Sequence, residues 1–171
     1  MKHVFKIEAA KPEDLPEIAR LAREIWLVCY KDVISMEQIN YMLNWMYGAE
    51  TMAKELSQNI CYDKLILDGK MIGYTSYGPS EKPEKMKLHK IYIHHDFQKK
   101  GYGSATLKYV FERANEKGFS SVVLNVNKNN TNAVAAYKKN GFVIAETCKL
   151  DVGNGFYMDD YILEKKLYLN P

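Results

Sequence analysis

One stretch of the chain has the residue types and spacing to bind an anion: His94, His95, Asp96 and Phe97 lead into Gln98, Lys99, Lys100, Gly101, Tyr102, Gly103 and Ser104. Two glycines one residue apart let the backbone curl around a ligand and approach it closely, and the lysines ahead of them add positive charge. An alternating apolar run at 88–93 precedes this stretch and reads as a strand. Leu107, Val110, Phe111 and Ala114 follow it at the spacing of one buried helical face, with Gly118 placed for a left-handed cap. A strand, a glycine loop and a helix in that order present unpaired N–H groups and a positive dipole end, which is how a backbone holds phosphate.

Two nucleotide-binding forms of such a loop are disfavoured. The string Gly, four residues, Gly-Lys-Ser/Thr does not occur. A dinucleotide fingerprint needs a small residue where Thr106 stands and an acid about 20 positions on, whereas the end of the next strand offers Asn125 and Asn127. The stretch from Gln98 to Gly103 has the form Gln/Arg-x-x-Gly-x-Gly/Ala and resembles the pyrophosphate-binding motif of the GNAT superfamily of N-acetyltransferases, which use acetyl-CoA. Downstream, the run from Asn132 through Ala133, Tyr137, Lys139 and Gly141 to Phe142 looks like that family's Asn-x-x-Ala-x-x-x-Tyr-x-x-x-Gly-Phe signature.

The resemblance implies a set of roles. Coenzyme A would lie against Ile91, Tyr92 and Ile93, the loop residues Gln98, Lys99, Lys100, Gly101, Tyr102, Gly103 and Ser104, and Asn132 and Lys139, with Asn132 at the pantetheine arm. Tyr137 would be the general acid at the thioester sulfur. A phenol suits the work, because the departing thiol has a pKa of about 8.5 and a phenol's is about 10. A backbone N–H of Ile93 or Tyr92 would meet the carbonyl oxygen as charge develops on it. Asn132 could also serve as a helix cap, and Tyr137 as a core aromatic.

The base that frees the attacking amine is less well marked. Lys87 and His89 share one face of the strand before the loop, and His89 titrates close enough to neutrality to serve. Lys87 departs from the glutamate frequent in the family, so Glu24, Glu37, Asp159 and Asp160 stand as substitutes. Tyr30, Gln38, Tyr41 and Tyr157 are candidates for shaping an acceptor pocket, with Asp159 or Asp160 attracting an ammonium group. The expected acceptor is a small primary amine or polyamine, a peptide amine being the wider option. Attack would be direct, through a tetrahedral intermediate. A non-catalytic acyl-CoA sensor on the same fold is the alternative.

Composition bounds the rest. At 171 residues, with 47% apolar and 26% charged residues, the chain suits one well-buried domain. A formal net charge of +3, with lysines scattered except near the loop, does not favour nucleic acid. Cys29, Cys61 and Cys148 are odd in number and widely spaced, so neither a disulfide framework nor a metal site is expected. With no signal-like or membrane-spanning stretch, the expected setting is cytoplasmic.

The elements that must position these residues follow from local pattern. A strand at 4–8 precedes a helix opened by Pro12, Glu13 and Asp14, with its apolar stripe running from Leu15 through Trp26 to Cys29. Ser35 and Gln38 form a capping pair ahead of a second helix, and a third spans 49–58. Asp68-Gly69 joins two strands in a type I′ hairpin. A strand at 121–126, a short helix at 133–139 and two late strands joined through Gly153, Asn154 and Gly155 complete the chain. The expected fold is α/β: a mixed, mostly antiparallel sheet of about seven strands flanked by helices, similar to the GNAT fold over one domain, 1–171. Either a monomer or a homodimer is compatible with the sequence.

Overall fold

The structure, a computed structural model, describes residues 2–168. Seven strands form one mixed sheet in the order β1 (Phe5–Ala9), β2 (Cys61–Leu67), β3 (Lys70–Pro79), β4 (Lys85–Ile93), β5 (Ser121–Asn127), β7 (Phe156–Lys166) and β6 (Val143–Gly153). The chain forms two compact units that share β4: the chain up to Gly78 with Lys90–Thr106, and Pro79–His89 with the chain from Leu107 on.

In the first unit, α1 (Leu15–Cys29), α2 (Met36–Met46) and α3 (Ala49–Ser57) accompany β1 to β3. The proline and acids expected to open α1 form a short 3-10 turn, Pro12–Asp14, ahead of it. The Asp14 carboxylate accepts the N–H of Lys11 at 2.8 Å and pairs with Lys64 at 3.1 Å, which holds it below the usual carboxylate range. Ile18, Ala22, Ile25 and Trp26 bury the inner stripe of α1. Ser35 Oγ accepts the N–H of Gln38 at 3.1 Å and starts α2, whose Ile39, Met42 and Leu43 are buried core residues. Asp68 and Gly69 have φ of 50° and 82°, the left-handed pair a type I′ turn requires.

In the second unit, β5 is followed by α5 (Thr131–Lys139) and the β6–β7 hairpin, and α4 (Tyr102–Glu116) contributes its length from Leu107 onward. Val110, Ala114, Val122, Leu124, Phe142 and Leu163 are buried there, and the Phe111 and Tyr137 rings each meet Phe142 with centroids 5.7 Å apart. Gly118, at φ 80°, ends α4 as its left-handed cap. The strands β4 and β5 pair in parallel, but only Lys85–Lys87 against Ser121–Val123 is in register, although β5 continues to Asn127. Beyond Val123, β5 is bonded to β7 alone.

Candidate active site

The end of β4 and the loop after it lie together in the first unit. The N–H of His94 donates to the carbonyl of Ile72 on β3 at 2.8 Å. Strand backbone alternates, so Tyr92 also turns its N–H toward β3, and Ile93 turns its N–H and C=O to the opposite edge. Of the two amides the sequence offers for an oxyanion, Ile93 is therefore the one not directed at β3. The Gln98 side-chain amide donates to the carbonyl of Ile93 at 2.9 Å, tying the loop to the strand end.

Past Gln98 the backbone reverses hand twice. Lys99 has φ of 59° and Gly101 of 89°, with Lys100 between them at negative φ; such alternation points successive N–H groups into one concavity. Ala105 makes the first helical bond, to the carbonyl of Gly101 at 3.0 Å, and no N–H from 99 to 104 donates to protein among the described residues. A Cβ built at Gly101 would meet nothing within 4 Å, so open space surrounds it, and one at Gly103 would meet only Ile93 Cδ1, at 3.6 Å. Donors without acceptors, a helix start and open space above the glycines fit a diphosphate. Lys100 Nζ turns back to the carbonyl of Asp96 at 3.0 Å, and both Lys70 and Lys100 lie over the Phe97 ring.

Asn132, Tyr137 and Lys139 lie in the second unit. The cap of α5 is Asn130, whose Oδ1 accepts the N–H of Ala133 at 3.4 Å; Asn132, which the sequence allows as a cap, does not fill that place. Asn132 is an exposed residue in the first turn. The signature requires an asparagine three positions before Ala133 and seven before Tyr137, and this too falls on Asn130. Tyr137 is half-buried against Phe142, and Lys139 is exposed in the last turn.

Register brings a second group together. On β5 and β7, Asn125 lies opposite Ile162 and Asn127 opposite Asp160, and on β6 Cys148 lies opposite Asp160. With Lys87 paired to Val123, alternation puts Lys87, His89, Asn125, Cys148 and Asp160 on one face of this unit's sheet. Asp160 is 5% exposed. Burial above all raises its pKa, Asp159 adds to the rise, and Asn125, Lys87 and Lys128 oppose it. Burial likewise raises the Cys148 thiol.

Residues 17–142 match the model of the acetyltransferase (GNAT) family. The chain belongs to this family. It is an acetyl-CoA-dependent N-acetyltransferase. Over 167 residues it is 26% identical to a spermidine N(1)-acetyltransferase of Thermoplasma acidophilum, covering 95% of this chain and 97% of that one. The fold matches an N-acetyltransferase of the same organism solved with coenzyme A, at TM-score 0.80 and 24% identity, covering 95% of this chain and 99% of the other. It also matches a GCN5-related N-acetyltransferase from Rhodopseudomonas palustris, at TM-score 0.81 and 19% identity over 98% and 99% of the two chains.

Two features of this GNAT chain escape the sequence. Lys90, 4% exposed, sits on β4 with its Nζ 2.8 Å from the Tyr62 hydroxyl and 3.3 Å from Glu55, and Tyr62 itself bonds Glu55. Above it Trp26, Tyr30, Tyr47, Tyr74 and Tyr92 form one aromatic cluster, its hydroxyls paired at 2.6 Å for Tyr47–Tyr74 and 3.0 Å for Tyr30–Tyr92. Of the acceptor-pocket candidates, Tyr30 and Gln38 are buried, Tyr41 is half-buried and Tyr157 is 51% exposed. Glu24 lies 3.7 Å from His94, whose ring stacks on His95 at 4.0 Å.

Proposed function

We propose that this enzyme transfers acetyl from acetyl-CoA to a primary amine of a small polyamine by direct attack, without an acyl-enzyme. The observation that carries the cofactor half is the row of donors from 99 to 104, unspent around an open Gly101. The acceptor half is supported by the spermidine N(1)-acetyltransferase relative and by the Asp160 carboxylate on the sheet face that carries His89.

Each part of the chain then has a task. The N–H groups of the loop and the first turn of α4 hold the diphosphate, and Gln98 fixes that loop to the strand. The Ile93 N–H, turned away from β3, donates to the thioester carbonyl oxygen and strengthens its hold as negative charge builds there. Asn130, in place of Asn132, donates its side-chain amide to the pantetheine arm while its oxygen caps α5. The Tyr137 hydroxyl gives a proton to the departing sulfur, and His89 takes one from the incoming amine, directly or through water.

Thiol release with a panel of mono-, di- and polyamines, with mass detection of the acetylated product, tests this reading. Turnover is expected with polyamines. Tight binding of acetyl-CoA with no turnover on any amine would replace it with an acyl-CoA sensor.

A further inference from the structure

Asp160 is the anomaly of the second unit. Its carboxylate is buried, and although Asn125 lends it a side-chain hydrogen bond, its Oδ1 has no hydrogen-bond partner. An oxygen that has lost water and gained no donor carries its full desolvation cost, about 1–3 kcal/mol and more for a charged group. Lys87 and Lys128 act on it only at a distance, and neither forms an ion pair with it among the described residues. The flanking side chains Lys87, Asn125 and Cys148 are half-buried.

We infer that Asp160 anchors a spectator ammonium group of the acceptor, the one that is not acetylated. The inference rests on the amine-acceptor reading above. A carboxylate paired with an ammonium stabilises its charged form, which would disable the nucleophile, so the group held here is a second cation. An ammonium offers several donors to an acceptor-only carboxylate, and the bond is charge-assisted. The anchor therefore selects diamines and polyamines over monoamines.

The test is calorimetric binding of an α,ω-diamine and of the monoamine of equal chain length to the CoA-loaded enzyme, for wild type and Asp160→Asn. Wild type is expected to prefer the diamine by roughly tenfold or more, and the variant to bind both alike with unchanged CoA affinity. The wild-type preference should fade as pH falls through the raised Asp160 pKa. The groups facing that carboxyl are Lys87 from β4, Asn125 from β5, Lys128 after β5, Cys148 from β6 and Asp159 beside it, and the variant removes the pH dependence if Asp160 is its source. A preference that survives in the variant overturns the anchor and leaves the amine-acceptor reading standing. Wild type that binds neither amine overturns both.

Discussion

Gly101→Ala separates the backbone conformation of the loop from everything else the loop does. A methyl group there would meet nothing within 4 Å, so no clash contributes, while φ of 89° lies in the left-handed region. An L-residue held there costs roughly 1–2 kcal/mol. Where that cost is seen depends on what the loop does without ligand. If the loop keeps its shape, the cost falls on stability, and the melting temperature drops by roughly 2–8 °C for a chain of this size. If the loop relaxes, stability is spared and the cost moves to CoA binding, weakening it roughly 5–30-fold. The two losses should sum to the same 1–2 kcal/mol, measured as calorimetric CoA affinity and as denaturant unfolding of the free protein.

Gly103→Ala is the control. Its φ is not positive, its Cβ would sit in ordinary contact 3.6 Å from Ile93 Cδ1, and the family motif admits alanine there. Its stability should be equal to wild type or higher by up to about 0.5–1 kcal/mol, because alanine suits a helix better than glycine, and CoA affinity should stay within about threefold. If Gly101→Ala changes neither quantity, the loop does not hold the cofactor in the conformation described. If Gly103→Ala loses as much affinity as Gly101→Ala, close approach of the ligand and not backbone hand is the reason for the glycines.

Three further outcomes are expected. Tyr137→Phe keeps the ring on Phe142 and removes only the hydroxyl, so kcat should fall about 10²-fold with CoA affinity unchanged; unchanged turnover would take Tyr137 out of the acid role. Glu55→Gln leaves the Lys90 charge buried beside Tyr62 and should destabilise by about 3 kcal/mol in denaturant unfolding, the low end for a broken buried pair because Glu55 keeps some solvent. Asp160 has its carboxyl pKa raised in the folded state, so its ionised form opposes folding at neutral pH. Asp160→Asn should therefore raise the melting temperature at pH 7, and the gain should vanish once pH falls below the unfolded-state pKa, where both states bind the proton.

What the sequence made legible was what local backbone chemistry dictates. Asp68-Gly69 read as a type I′ turn because both residues must take positive φ, and they do. Gly118 was readable for the same reason, whereas Gly101 and Gly103 read alike and only Gly101 takes positive φ. The start of α5 was not, because Asn129, Asn130, Thr131 and Asn132 can all cap a helix. The choice falls on Asn130 because Asn127 forms a turn just upstream, taking the N–H of Asn129 on its side chain and that of Asn130 on its carbonyl. Lys90 was illegible for a different reason: its partners Tyr62 and Glu55 stand 28 and 35 positions away, and no local pattern encodes that meeting. Asp159 and Asp160 were equivalent until β7 took its register, which set Asp160 opposite Asn127 and Cys148 and buried it.

The parity of β4 is the device that lets one strand serve several purposes. Met86, Leu88 and Lys90 are buried, while Lys87, His89, Ile91 and Ile93 between them are half-buried. A strand with polar residues in both sets is costly unless the buried set is satisfied, and the Glu55–Tyr62 pair supplies the partners that let Lys90 keep its charge. With that set committed to packing, the other set is left for chemistry, where Lys87 and His89 stand on the face that carries Asp160. Backbone polarity follows its own alternation: at the strand end the N–H groups of Tyr92 and His94 turn toward β3, and that of Ile93 turns to the opposite edge. A one-residue slip of β4 would exchange all of these roles at once. The bond from the His94 N–H to the Ile72 carbonyl ties the strand end to β3, while Gln98, bonded to the Ile93 carbonyl, clamps the following loop to that end.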